Sequence, residues 1–339
     1  MKKTITISFL SFFFLLSLFL IFLTRFFINF SYSINHRPQE LIAKLTSSYQ
    51  QSKTLPQNLN FLILGLDERN DWLEKTSVTD TIIFVSINLS KQKVHLISLP
   101  RDLWIEELGF KINNIYPHAK ETQQDYYSFI KKEFSKLINQ EINGIVIIKT
   151  DSLIQIPQLV GPLDIYLENA FKDDQYPSPC YIENPKICPN PYMTINFDQG
   201  WNKLDQSNIT PFIRSRKANG NNDQSRSHRQ QLLIEALLNK LKNKDTVFKH
   251  TNISKFYNFW HQQIDSNIAD EILLSIFMKF KKQILNLQLE KHEIPVGLNK
   301  FDESGVIYHP DYFINKAWVF LPSQGNITNL QLFISQSIE

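Results

Sequence analysis

The chain has 339 residues, enough for one large domain or two ordinary ones. With 42% hydrophobic and 20% charged residues it is globular rather than disordered, and a net charge of +3 leaves no broad basic field for nucleic acid. Only 9 glycines stand against 26 phenylalanines, a coding bias under which motif glycines can be replaced.

Residues 1–3 precede an uncharged run, Thr4 to Thr24, made mostly of Phe, Leu and Ile and long enough to span a bilayer core as a helix. Lys2 and Lys3 favour a cytoplasmic N-terminus, and Arg25 can snorkel to the far interface. A cleaved signal peptide is the rival reading. The run is long for one, however, and Phe26, Phe27 and Phe30 follow it in place of a small-residue cleavage site. The expectation is an uncleaved signal anchor in the cell membrane, with the rest of the chain outside the cytoplasm. Residues 25–58 are polar and mixed, a juxtamembrane linker with a short helical piece.

The folded domain is expected over 59–243. Phe61–Leu64 is a short apolar strand stopped by Gly65, with Leu66–Arg69 loop-like behind it. Thr81–Ile87 and Lys93–Ser98 form a hairpin about the turn Asn88–Lys91. A helix is expected over Thr122–Gln140, a buried strand over Gly144–Lys149, a short helix over Asp151–Val160 and a strand over Leu163–Leu167. A proline-rich loop follows, holding Cys180 and Cys188. In an extracytoplasmic domain these two are expected to pair as a disulfide closing the loop, since no Cys or His pair nearby makes a zinc site.

Phe212–Gln231 then gathers Arg214 and Arg216, on a strand-like segment, with Arg226, Arg229, Asp223 and Gln230, and an apolar helix runs on to about Leu241. Arginines at a helix N-terminus oppose the macrodipole. They make sense with an anion held jointly by guanidinium groups and free helix N–H groups; the bland alternative is a solvated basic loop. Beyond Asn243, Asn267–Leu285 is expected as a helix, and Ile294–Val296 and Trp318–Phe320 as late edge strands. Strands alternating with helices indicate an α/β domain with a mixed sheet.

Three strand ends carry polar clusters: Asp67 with Arg69, Asp80 with Thr81, and Arg101 with Asp102. In α/β sheets ligands sit at such ends. Two carboxylates from neighbouring loops can hold one Mg²⁺, whose remaining positions go to phosphate and water. For each pair alone, a surface ion pair is the competing reading. Nucleophilic catalysis has little support, because no Gly-x-Ser-x-Gly elbow and no His-Glu-x-x-His spacing occurs.

Taken in order, NFLILGLDER (60–69), TDTIIFVSIN (79–88), ISLPRDLW (97–104), KIN (111–113) and the arginine stretch from Arg214 to Gln231 resemble the LytR–CpsA–Psr family of membrane-anchored glycopolymer transferases. LVGPLDIYLENAF (159–171) and GWNKLD (200–205) are similar to its connecting motifs, so the resemblance covers roughly Asn60 to Asn243. It implies an α/β/α sandwich around a mixed central sheet and a deep pocket for a polyprenyl lipid with a pyrophosphate at its mouth. It also implies Mg²⁺ on Asp67 and Asp80. Arg69, Arg101, Arg214, Arg216 and Arg226 would neutralise the pyrophosphate and Gln230 would hydrogen-bond it. Asp102, Asp223, Lys111 and Arg229 would orient those groups or close the site.

The implied reaction moves a glycopolymer from a polyprenyl pyrophosphate to peptidoglycan, with the guanidinium groups and Mg²⁺ stabilising charge on the departing group. A polyprenyl-pyrophosphate hydrolase and a non-catalytic lipid- or glycan-binding regulator are the alternatives. Gly161-Pro162 stands where the family has Gly-Gly, and the glycines expected after KIN are absent. No chemistry is assigned to 244–339, a C-terminal extension packing on or following the domain.

Overall fold

The computed structural model describes residues 17, 20–71, 74–184, 186–215, 223–242, 250–284 and 286–339. The expected anchor falls mostly outside them. Among the described residues no helix is long and apolar enough to cross a membrane. Arg216 lies outside them too, as do the side chains of Arg69 and Asp223.

Six strands build the central sheet: β1 Asn58–Asp71, β2 Glu74–Asn88, β3 Lys93–Ser98, β4 Gly144–Lys149, β5 Ile264–Ser266 and β6 Gln288–Glu293. Their order is β5-β4-β1-β2-β3-β6. β1 pairs parallel with β4 and β3 with β6, while the remaining neighbours are antiparallel, so the sheet is mixed. Both outer strands come from beyond Asn243.

Alternation along the strands supplies a core on each face. Leu62, Leu64, Phe84 and Ile97 pack with Ile130 and Phe134 of the helix Tyr126–Ile138 and with Leu330 and Ile334 of the helix Thr328–Ser337. Leu59, Ile83, Val85 and Leu96 face Phe280 of the helix Asp270–Ile284. The helix Pro38–Ser52 lies on that last helix: Lys44 Nζ is 2.6 Å from Asp270 Oδ2, and Ser275 Oγ donates to the Ser48 carbonyl at 2.9 Å. A third cluster joins Phe171, Phe197 and Phe212 to Leu232, Leu233 and Ala236 of the arginine helix, Asp223–Lys242.

Three expectations are corrected. Leu66–Arg69 is not a loop: β1 runs on through it, paired with β2 to Asp71↔Glu74. The strand continues because the β-branched Val78 and Thr79 give it a pairing partner, and because the register slips at Gly65/Leu66 instead of ending there. Gly65 makes that slip possible, since a Cβ at this position would lie 2.8 Å from the Cβ of Thr81. Arg214, expected on a strand-like segment, ends a short helix, Ile209–Arg214. Pro211 sits in its first turn, where a missing N–H breaks no helical bond. Trp318–Phe320 forms no edge strand. Instead Phe320 bridges Leu103, accepting from Trp104 N at 3.0 Å and donating to the Asp102 carbonyl at 2.9 Å.

Candidate active site

The register slip lies within the β1–β2 ladder and has a carboxylate close to it on each strand. Asp67 follows the register slip on β1, and Asp80 lies on β2 between Thr79 and Thr81, the partners of Leu66 and Gly65. Both are buried. They sit within a paired hairpin rather than on strand-end loops, so their separation is set by sheet hydrogen bonds.

Each acid is held by arginine. Arg101 Nη1 lies 2.5 Å from Asp80 Oδ1, and Arg226 Nη1 lies 3.4 Å from Asp80 Oδ2. Arg226 Nη2 also donates to the Asp80 carbonyl at 2.9 Å. Asp102 anchors this group from below, with Oδ2 3.4 Å from Arg101 Nε and Oδ1 2.6 Å from Lys111 Nζ. Among the described residues, these contacts set three cations, Arg101, Arg226 and Lys111, against two carboxylates, Asp80 and Asp102. Across the bulge Arg214 bridges Asp67, at 2.7 Å, and Asp151, at 3.2 Å. Burial raises the Tyr176 hydroxyl above its ordinary value there, with the Arg214 charge opposing the rise.

A cavity of about 480 Å³ opens beside the first cluster. Its lining is polar or charged at Asp80, Arg101, Asp102, Arg226, Gln230, Glu293 and His309, and apolar at Ile82, Leu99, Ile294, Val296, Trp318 and Phe320. Arg226 and Gln230 are four residues apart on the arginine helix and meet the cavity together. The arrangement suits an amphiphile with an anionic head and a hydrocarbon body.

The other expected residues serve at one remove. Lys111 does not line the cavity; it holds Asp102. Arg229, expected to orient the anion-binding groups or close the site, is buried and does not line the cavity. Its Nε donates to the Phe212 carbonyl at 2.8 Å, another guanidinium nitrogen donates to the Ser215 carbonyl, and the group lies over the Phe171 ring. Burial lowers its pKa to about 10, with the Arg226 charge adding to the effect. Arg229 thus ties the end of the Ile209–Arg214 helix to the arginine helix and so positions Arg214. Cys180 and Cys188 are joined by a disulfide.

Asp151, Glu293, His309, Trp318 and Phe320 carried no expectation as site residues. The last four come from the C-terminal segment, where His309 Nδ1 lies 2.9 Å from the Val319 carbonyl and its ring packs tilted against Trp318 at 4.3 Å between ring centroids. Nothing in the local sequence marks them, because a long-range fold brings them to the cavity.

Comparison with known proteins gives the family and the fold. The model of the LytR_cpsA_psr family matches residues 28–331, which takes in the C-terminal wall of the cavity. A polyisoprenyl-teichoic acid–peptidoglycan teichoic acid transferase, TagU of Oceanobacillus iheyensis, is 26% identical over 238 residues, 69% of this chain and 67% of that protein. The crystal structure of Bacillus subtilis TagU superposes with a TM-score of 0.55 at 16% identity, covering 84% of this chain and 98% of that one. TagT bound to LIIa-WTA gives a TM-score of 0.55 at 14% identity, covering 83% and 91%. At these identities the two structures show a shared fold.

Proposed function

The chain belongs to the LytR_cpsA_psr family, and from that premise we propose that it transfers a glycopolymer from a polyprenyl-pyrophosphate carrier to peptidoglycan outside the cytoplasmic membrane. One observation carries the reading. Arg101 and Arg226 converge on Asp80 in the lining of a cavity with much apolar surface, where they are fixed before any anion arrives. Preorganised cations in a partly dry site stabilise developing charge without reorganising. The uncharged run Thr4–Thr24 supports anchoring, and the Cys180–Cys188 disulfide supports an oxidising compartment.

Release of a lipid monophosphate requires that the pyrophosphate P–O bond break. The acceptor hydroxyl therefore attacks the phosphorus bearing the glycopolymer. A new phosphodiester forms, polyprenyl phosphate leaves with the bridging oxygen, and the hydroxyl proton passes to solvent or a carboxylate. Arg101 and Arg226 neutralise the leaving phosphate, Gln230 hydrogen-bonds it, and the apolar wall takes the first isoprene units. Asp102 has both oxygens near cations, so it orients Arg101 and Lys111. Asp67 and Asp80 present buried hard oxygens on adjacent strands, a donor set that fits Mg²⁺. Bound there, the ion would add charge neutralisation to that of the arginines.

Incubating the full-length chain in detergent with a radiolabelled lipid-pyrophosphate glycan, with and without peptidoglycan, tests the proposal. Acceptor-dependent release of lipid phosphate is expected. Equal release without peptidoglycan would make the protein a hydrolase, and no release would remove both enzymatic readings.

A further inference from the structure

β3 and β6 pair in parallel with His95 opposite Glu290 and Ile97 opposite His292. His95 shares the sheet face of Ile97, so its ring is drawn inward and is almost fully buried. Its Nδ1 lies 3.2 Å from His292 Nε2 and 3.4 Å from Glu290 Oε2. One ligand atom from each of the three residues falls within 4.8 Å of the others. Nitrogen and oxygen ligands about 2.0–2.1 Å from a tetrahedral zinc ion stand roughly 3.4 Å apart, so the spacings of 3.2 and 3.4 Å match two edges of such a site.

The chemistry agrees with the geometry. Burial lowers the pKa of both rings below the ordinary histidine value, with the neighbouring Glu290 charge opposing it, and neutral imidazole is the form that binds metal. Lys93 Nζ holds Glu290 Oε1 at 2.7 Å and leaves Oε2 turned to the histidines, the orienting contact that metal-binding carboxylates receive. The other His95 nitrogen, Nε2, is buried without a hydrogen bond, so among the described residues the ring's polar contacts are with His292 and Glu290. Imidazole with one carboxylate selects zinc-like ions over the all-oxygen preference of Mg²⁺.

We propose that His95, Glu290 and His292 form a binding site for one divalent transition-metal ion of the zinc class, with solvent as the fourth ligand. The ion would clamp β6 to β3. That clamp matters for the cavity, because Glu293 and Ile294 directly follow His292 and line it, and Gln231 links Ser98 Oγ at 2.9 Å to the His292 carbonyl at 3.3 Å. The C-terminal segment thereby gains a fastening independent of the hydrophobic core.

The test uses the full-length chain without a polyhistidine tag, stripped with chelator and titrated with Zn²⁺ by calorimetry and thermal unfolding. One equivalent should bind and raise Tm, and Glu290→Gln and His292→Phe should each weaken binding about ten-fold or more. Failure to bind Zn²⁺, or undiminished binding in both variants, overturns the proposal. Glu290 is partly exposed, so Glu290→Gln leaves the core intact and decides the matter alone if His292→Phe unfolds. With Co²⁺ in place of Zn²⁺, the intense visible absorption of a four-coordinate site should appear in the wild type and fade in Glu290→Gln. A spectrum identical in both would contradict the assignment.

Discussion

Gly65→Ala probes the link between sheet geometry and the charged site. The new methyl would lie 2.8 Å from the Thr81 Cβ and 3.0 Å from its Oγ1, well inside the roughly 3.5–4.0 Å at which carbon atoms rest. Neither strand can yield freely, because β1 is also held by β4 on its other edge and β2 by β3. Overpacking of this kind costs about 1–3 kcal/mol. The catalytic effect should be larger. Asp80 is the neighbour of Thr81, and its contacts at 2.5 and 3.4 Å fix Arg101 and Arg226; a displacement of ~1 Å in such a site costs about 100-fold in rate. Urea unfolding and donor turnover, measured on the same preparations, should therefore show a modest loss of stability and a much greater loss of turnover. Thr81→Gly removes the clashing atoms, so the double variant should lose less stability than the two single losses added together. Wild-type turnover and stability in Gly65→Ala would refute the reasoning that the bulge sets the site.

Other consequences are as direct. Arg214→Ala leaves Asp67 and Asp151 without their shared cation and should cut turnover by about 100-fold or more while circular dichroism stays native. Arg229→Met should instead act on stability, by about 3 kcal/mol in denaturant unfolding, because two carbonyls lose charged donors. Reducing the Cys180–Cys188 disulfide, eight residues apart, should lower stability by about 2 kcal/mol in an unfolding experiment with and without reductant. Burial raises the Tyr176 hydroxyl above the 10.0 of an exposed tyrosine, so its contribution is complete below pH 10 and lost as pH rises through the higher folded value. Tyr176→Phe should flatten the alkaline fall of Tm, and an unchanged slope would show that the fall arises elsewhere.

Much of the frame was legible because local patterns decide it. Apolar runs at Gly144–Lys149 and Leu163–Leu167 form strands at those bounds, and the Lys93–Ser98 partner of the hairpin does too. Asp80, Arg101, Asp102, Arg226 and Gln230 meet at one cavity, whereas Arg229 does not reach it. That difference has no local signal, since it depends on which helix face meets the carbonyls of Phe212 and Ser215. β6 escaped notice because Gln288–Glu293 is an outer strand, polar and half-exposed, with no apolar run to mark it. The cavity wall around His309 and Trp318 lacks a local signal for another reason. It is assembled by the Leu103–Phe320 bridge, a contact between segments far apart in the chain.

The central claim is tested most directly by covalent transfer. Purified peptidoglycan, incubated with the full-length chain, Mg²⁺ and a radiolabelled polyprenyl-pyrophosphate glycopolymer, is washed in hot detergent and counted. Retained label that depends on the protein and disappears with Asp80→Ala is the predicted result. Peptidoglycan left unlabelled while the donor is consumed, or labelling undiminished in Asp80→Ala, would contradict it.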